Sequence, residues 1–320
     1  MQEFKNFTDF LIDLKSIQTK KPLYFPKIAI LGSPGSGKTS LLQSILGVKL
    51  FPDNFAHKLS YVEVQLKTAD NISGYTFEIL NTQEKFREIR PFRSRLLDFI
   101  GTLSSSYEES VTISISSPNV PHLTLVDLPG LAPLNSEITD DAFWEQESTK
   151  KKIVKKIIKD DKTMIVCVLS AHDNFADSRA LEYAREYDPQ KERTIGVITK
   201  YDQLEAESQK GEIKRIINGT DFPLKHGYNL LSLHTSFRNT IEGDDEVVEN
   251  TEGDQVSSAA HVYKRRIDSI EFLLIKLRKV FCFTFRTILP GLFNEFQAKA
   301  KAYEEELEEL EAEEEEAPID

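Results

Sequence analysis

The eight residues from Gly32 to Thr39 read GSPGSGKT and have the residue types and spacing of a phosphate-binding loop. The run KIAIL at 27–31, apolar after its first residue, predicts a strand before the loop, and the sequence from about Ser40 predicts a helix after it. The glycines would let backbone N–H groups point at phosphate oxygens, and the helix N-terminus would add its positive dipole end. Lys38 would neutralise the β- and γ-phosphates as a catalytic group, and the Thr39 hydroxyl would ligate Mg²⁺. The predicted phosphate-binding residues are Gly32, Ser33, Pro34, Gly35, Ser36, Gly37, Lys38, Thr39 and Ser40.

A second motif, D-x-x-G, follows the apolar strand predicted at 123–127. Asp127 at the tip of this strand could hold Mg²⁺ through water, and the N–H of Gly130 could bind the γ-phosphate. Loss of that phosphate would release the loop. An ordinary turn is the alternative interpretation, but the position downstream of the phosphate-binding loop favours a nucleotide site. Asp127 is therefore a predicted metal ligand, and Gly130 a predicted phosphate-binding and catalytic residue.

A third motif, T-K-x-D, ends the strand predicted at 194–199 with Thr199, Lys200 and Asp202. Guanine presents two N–H donors on one edge, and an ionised Asp202 could accept both, while the Lys200 stem would cover the ring. Adenine presents an acceptor at that edge and would be repelled. A Lys/Asp pair in a surface loop is the alternative interpretation, but the order of the three motifs favours guanine recognition. Thr199, Lys200 and Asp202 are the predicted guanine-binding residues, and the predicted ligands are GTP and GDP.

Composition bears on the class of partner and on the cellular location of the protein. The chain has 320 residues and a net charge of −12, but its last 17 residues from Glu304 hold 11 acidic residues and no basic ones. The remainder is almost neutral. It therefore contains no basic domain of the kind that would indicate a nucleic-acid partner. Cys167 and Cys282 lie in apolar runs, which is typical of thiols in a reducing compartment. The chain start lacks a signal-peptide core and no apolar run reaches 18 residues, so we expect a soluble, cytoplasmic protein.

Alternating strand and helix patterns predict an α/β fold. Several strands are continuously apolar, which is typical of a mostly parallel, doubly wound sheet covered by helices on both faces. The predicted strands are 61–66, 75–80, 111–116, 123–127, 163–169, 194–199 and 228–233, and the predicted helices are 4–19, 143–159, 178–187 and 203–217. A long helix is expected after residue 260, with a kink or break at Pro290. The run Lys150–Lys152 is interpreted as a solvated basic helix face, with a membrane or partner contact as the alternative.

Longer segments resemble the GTPase domain of the dynamin superfamily. They are LTLVDLPGL at 123–131, RTIGVITKYD at 193–202, EYDPQ at 186–190 and Gly227-Tyr228. The resemblance implies a P-loop GTPase domain that binds GTP·Mg²⁺, flanked by helices that form part of a bundle. The implied units are a bundle helix at 1–21, the GTPase domain at 22–258, a second bundle helix and stalk start at 259–300, and an acidic tail at 301–320.

The chain also departs from the family pattern. Pro34-Gly35 replaces Gln-Ser, and that serine resembles a monovalent-cation ligand, so hydrolysis with a monovalent cation and hydrolysis without one are alternative expectations here. The first switch, 51–60, has no threonine, which leaves Ser60 as a candidate Mg²⁺ ligand and catalytic residue. Asn174 and Glu182 stand where the family has an Asp and a Lys that help to pair two GTPase heads, and Leu233 stands in place of a guanine-side Asn.

The resemblance implies GTP hydrolysis in a membrane-remodelling or membrane-associated role, and the departures predict slow turnover. It further implies a homodimer through the GTPase face, and a cytoplasmic location that is peripheral on membranes or on the microtubule cytoskeleton. The alternative is a soluble GTP-binding switch, or a catalytically weakened scaffold without membrane activity.

Overall fold

The computed structural model describes residues 26–52, 59–69, 74–103, 107, 109–118, 120, 123–136, 138–205, 207–232 and 270–316. The predicted helix at 4–19, most of the first switch and Leu233 lie outside these residues. The strands are β1 (Lys27–Gly32), β2 (Val62–Thr68), β3 (Thr76–Ile79), β4 (Glu84–Phe86), β5 (Val111–Ser117), β6 (Leu123–Asp127), β7 (Thr163–Ser170), β8 (Thr194–Thr199) and β9 (Tyr228–Leu231). The α-helices are α1 (Lys38–Leu46), α2 (Ile89–Thr102), α3 (Asp141–Ile158), α4 (Arg179–Tyr187), α5 (Glu207–Ile217) and α6 (Ile270–Glu316).

All nine strands form one sheet in the order β4-β3-β5-β2-β6-β1-β7-β8-β9. The run from β6 through β1, β7 and β8 to β9 is parallel throughout. β2 and β5 are parallel to each other, and β2 joins the parallel run by antiparallel pairing with β6. Because neighbouring parallel strands end at one edge, the loops that follow β1, β6, β7 and β8 meet there. The predicted mostly parallel α/β sheet is confirmed.

The helices cover both faces of the sheet. One apolar cluster packs α1, α2 and α6 on one face, and a second cluster packs α3, α4 and α5 on the other. β7 lies between them and is buried at all eight of its positions. Its continuous apolar run, MIVCVL at 164–169, contributes side chains to both clusters, as expected for a central strand of a doubly wound sheet.

Of the kink or break predicted at Pro290, the break is wrong, and a kink stays a prediction. Helix α6 continues through this residue for 47 residues in total. A proline removes the hydrogen bond to the carbonyl four residues earlier, here that of Arg286. Both residues are exposed, so water can satisfy that carbonyl at little cost. Within the described part of the chain, α6 included, we find no helix with the length and apolar character needed to cross a membrane.

Gly196 in β8 lies directly against the ring of Tyr228 in β9. A Cβ atom at residue 196 would lie 2.1 Å from Cδ1 of that ring, which is held in place because its hydroxyl donates to the carbonyl of Phe222 over 2.7 Å. We therefore expect Gly196→Ala to lower the free energy of unfolding by about 1–3 kcal/mol through overpacking. The control Gly211→Ala, in α5 with no atom within 4 Å of the new Cβ, should raise it by about 0.5–1 kcal/mol. Urea titrations of both variants measure this, and equal stability of the two variants would contradict the close packing.

Candidate nucleotide site

Close packing and backbone conformation explain the glycines of the phosphate-binding loop. A Cβ at Gly32 would lie 2.3 Å from the carbonyl oxygen of Val168 and 2.6 Å from Oγ of Ser36. Gly35 and Gly37 have φ of +73° and +92°, in the left-handed region that side chains rarely adopt. Helix α1 begins immediately after this turn, so its N-terminal N–H groups face the loop. The predicted strand, turn and helix are therefore present in this order.

Lys38 extends back over the loop and is nearly buried. Its Nζ donates to the carbonyl oxygen of Ser33 over 2.8 Å, and the Ser33 hydroxyl donates to Asp173 over 2.8 Å. Burial lowers the pKa of the Lys38 ammonium, although the carboxylates of Asp127 and Asp173 act in the opposite direction. The charged form is therefore incompletely compensated by the protein, and a phosphate bound in the loop would stabilise it.

Thr39 and Asp127 bring a hydroxyl and a carboxylate together beside the loop. The Thr39 Oγ1 donates to Oδ2 of Asp127 over 2.6 Å, and Asp127 is 1% exposed. Hard oxygen donors of this kind suit Mg²⁺, which commonly keeps only one or two protein ligands and takes others from phosphate and water. Among the described residues, no group of three or more His, Cys, Asp or Glu could hold a metal ion. Thr39 and Asp127 therefore fit Mg²⁺ held jointly with the nucleotide phosphates.

Ser60 lies at the same edge of the sheet, just before β2. Val62 of that strand is paired with Asp127 at the end of β6. The Ser60 hydroxyl donates to the carbonyl oxygen of Glu109 over 2.9 Å, and its backbone N–H donates to the same oxygen over 2.8 Å. The hydroxyl is thus engaged by the backbone, and a metal or catalytic role for Ser60 stays a prediction.

Gly130 of the second motif packs against the phosphate-binding loop. A Cβ at this position would lie 2.8 Å from both the N and the Cα atoms of Pro34. The next residue, Leu131, donates its N–H to the carbonyl oxygen of Gly32 over 3.2 Å. The two motifs therefore share one surface, and only glycine fits at residue 130 without moving the loop.

The third motif is joined to the same loop through two side chains. The Thr199 hydroxyl donates to the carbonyl oxygen of Ser36 over 2.7 Å. Lys200 has φ of +59°, and its Nζ donates to the carbonyl oxygen of Gly35 over 2.8 Å. Asp202 follows in a short 3₁₀ turn with its carboxylate exposed. The Lys200 ammonium is therefore held against the phosphate-binding loop, and the Asp202 carboxylate is accessible. The guanine-binding roles of Thr199, Lys200 and Asp202 stay predictions.

Asn174 and Glu182, which replace the family's residues for pairing two GTPase heads, form hydrogen bonds with residues close to them in sequence. Asn174 accepts from the N–H of Ala176 over 3.1 Å and donates to Asp177 over 2.8 Å. Glu182 accepts from Arg179 over 3.2 Å. These contacts order the segment after β7, and a role of either residue in pairing two heads stays a prediction.

Three charged residues beside the site were not predicted to be site residues. Asp173 contacts the phosphate-binding loop, and its place just after β7 at the shared edge was an available signal. Glu147 and Lys150 form an ion pair in α3 that is buried beside the second motif. The interpretation of Lys150–Lys152 as a solvated helix face is therefore wrong for Lys150, which is buried, whereas Lys152 is exposed. A run of three lysines carries no signal of which one turns inward.

Comparisons with known proteins agree with this geometry. Residues 28–201 match the family model described as the dynamin family. The chain is 31% identical over 255 residues to the interferon-induced GTP-binding protein Mx of Gallus gallus, covering 75% of this chain and 36% of that protein. It is 28% identical over 311 residues to the interferon-induced GTP-binding protein Mx2 of Bos taurus, covering 93% of this chain and 42% of that protein. A Perca fluviatilis Mx protein is 28% identical over 230 residues, which are 70% of this chain and 75% of that protein.

The chain thus spans well under half of the length of the Gallus and Bos relatives. The family match covers more than half of the chain and contains all of the phosphate-binding loop and the D-x-x-G motif. It ends at residue 201, so Asp202 lies just beyond it. This chain belongs to the dynamin family, the large GTPases that its sequence resembles.

Proposed function

We propose that this protein binds GTP with Mg²⁺ and hydrolyses it to GDP and phosphate. The observation that carries the proposal is the meeting of three motifs, which are far apart in sequence, at one edge of the sheet. Thr39 contacts Asp127 across 88 residues, and Lys200 contacts Gly35 across 165 residues. The printed names of the Mx relatives describe them as GTP-binding, which agrees with this proposal.

The residues of the loop would act mainly by positioning and by charge stabilisation. In hydrolysis a water oxygen forms a bond to the γ-phosphorus, and the bond from that phosphorus to the β–γ bridging oxygen breaks. Lys38 would stabilise negative charge on the β- and γ-phosphate oxygens, and the N–H of Gly130 would donate to a γ-phosphate oxygen. Thr39 and Asp127 would hold Mg²⁺, which supplies further neutralisation of phosphate charge when bound.

We propose that turnover is slow. The site has the groups that would bind GTP and Mg²⁺, but it lacks side chains that would speed the hydrolysis step. Gly35 contributes no side chain where the family places a candidate cation ligand, and the Ser60 hydroxyl is engaged by the Glu109 carbonyl. A missing cation at the transferred phosphoryl group can cost about 10³–10⁵-fold in rate. We expect single-turnover rates that rise only weakly with protein concentration and with potassium.

Single-turnover rates in sodium, potassium and choline across a protein dilution series test this proposal. A strong rise with potassium and concentration would show that other groups replace the serine. GTP binding without any measurable phosphate release would instead favour the catalytically weakened scaffold.

We further propose, from the family resemblance alone, a membrane-associated role and pairing of two copies through the GTPase face. Turnover with and without anionic lipid vesicles, together with co-sedimentation, separates this role from that of a soluble switch. Turnover and sedimentation unchanged by vesicles would favour the soluble switch.

A further inference from the structure

Helix α3 carries an ion pair that is buried beside the segment after the second motif. Glu147 is fully buried and Lys150 is 8% exposed, with 3.4 Å between Lys150 Nζ and Glu147 Oε2. Two apolar side chains at these positions would often be as stable or more stable, because burying charges costs desolvation energy. The pair therefore calls for an explanation other than stability.

The second oxygen of Glu147 holds the backbone next to the motif. Its Oε1 accepts from the N–H of Ala132 over 2.8 Å. On the other side, the N–H of Leu131 donates to the Gly32 carbonyl of the phosphate-binding loop. The peptide units directly after Gly130 are thus held between this loop and helix α3.

Lys150 is enclosed by two aromatic rings as well as by Glu147. Its Nζ lies 4.9 Å from the ring centroid of Tyr107 and 5.8 Å from that of Phe143. Both rings lie within cation–π distance of the ammonium and add to its attraction by the Glu147 carboxylate. The charge of Lys150 also adds to the effect of burial in lowering the pKa of the Lys38 ammonium.

We propose that Glu147 and Lys150 are positioning residues for GTP hydrolysis, which rests on the proposed function. Glu147 holds the Ala132 amide and thereby keeps the Gly130 N–H directed at the γ-phosphate position. Lys150 holds the Glu147 carboxylate in place through the ion pair. Because the pair acts through the backbone that follows Gly130, it should influence steps that involve the γ-phosphate and leave GDP binding alone.

Four variants separate this role from a purely structural one. Glu147→Leu removes the acceptor for the Ala132 amide, and Lys150→Met removes the counter-charge. Glu147→Gln combined with Lys150→Met keeps an acceptor and leaves no buried charge, so it should restore most of the lost rate. Glu145→Leu replaces an exposed glutamate on the same helix and is the matched control.

We expect Glu147→Leu and Lys150→Met to lower kcat about 10-fold to 100-fold, the scale of a displaced reacting geometry. KM should change less than kcat, the affinity for GDP should be unchanged, and Glu145→Leu should behave like the unaltered protein. The binding preference for a non-hydrolysable GTP analogue over GDP should fall in both single variants. Circular dichroism and GDP binding by calorimetry verify that each variant is folded.

The two proposals fail in different ways. An unaltered protein that releases no phosphate contradicts hydrolysis, and the positioning role is then decided by the analogue-over-GDP preference alone. The positioning role is overturned if neither kcat nor that preference changes in Glu147→Leu. It is equally overturned if GDP affinity falls in parallel with kcat, or if the double variant is as slow as Lys150→Met.

Discussion

Replacing Asp202 by Asn should change the base that this protein prefers. The exposed carboxylate offers two charged acceptors to the N1–H and N2–H of guanine, and the amide keeps only one neutral acceptor. Losing these charge-assisted bonds should weaken GTP binding by about 2–4 kcal/mol, or about 30-fold to 700-fold. Xanthosine triphosphate carries an acceptor in place of the 2-amino group, so Asp202→Asn should bind it more tightly than the unaltered protein does.

Calorimetric titration of each protein with GTP, ATP and xanthosine triphosphate checks this prediction. Asp98→Asn is the matched control, because that carboxylate is exposed on α2, away from the three motifs, and the change should leave all three affinities as they are. The guanine assignment is wrong if the unaltered protein binds ATP as tightly as GTP. It is also wrong if Asp202→Asn leaves GTP affinity unchanged.

Replacing Lys38 by Ala should abolish most GTP turnover without unfolding the domain. Removal of one preorganised charge from the transferred group typically costs about 100-fold to 1,000-fold in kcat. Burial lowers the pKa of the Lys38 ammonium, which means that the charged form is less stable in the folded protein than in water. Removing this cation should therefore leave Tm unchanged or raised in the absence of nucleotide.

Measurements of phosphate release and of thermal unfolding for Lys38→Ala show whether Lys38 acts in turnover or stabilises the fold. The control Lys152→Ala alters an exposed lysine of α3 and should leave both measurements as they are. A large fall in Tm with proportionate loss of activity would assign Lys38 a structural role. Undiminished turnover would place the phosphate site elsewhere.

Local patterns were enough to predict the elements that carry the motifs. The predicted bounds of β6 and β8, 123–127 and 194–199, match the structure at both ends. Each is a short apolar run that ends in a polar motif residue, so composition marks its end. Strand β4, which pairs antiparallel with β3 at the edge of the sheet, was not predicted. It has only three residues, EKF, and these show no alternation of apolar and polar side chains. Helix α2 also escaped prediction.

The continuity of α6 shows how context overrides a local rule. Pro290 is a strong helix breaker in isolation, yet its neighbourhood is exposed and the lost hydrogen bond involves a carbonyl that water can reach. Exposure is a property of the folded molecule, so sequence alone could not decide between a break and a continuous helix.

Local spacing and residue type were enough to predict the chemistry of the loop, which the glycines, Lys38, Thr39, Asp127 and Asp202 would supply. Which distant groups reach the loop depends instead on how the strands and helices pack. Asp173 contacts Ser33 across 140 residues only because β7 lies next to β1 in the sheet. Tertiary packing also decided that Lys150 is buried while Lys152 is exposed, since burial depends on the rotation of α3 against the sheet. Motif residues are specified by the ligand that they bind, whereas the residues that support them are specified by packing, which a single sequence does not reveal.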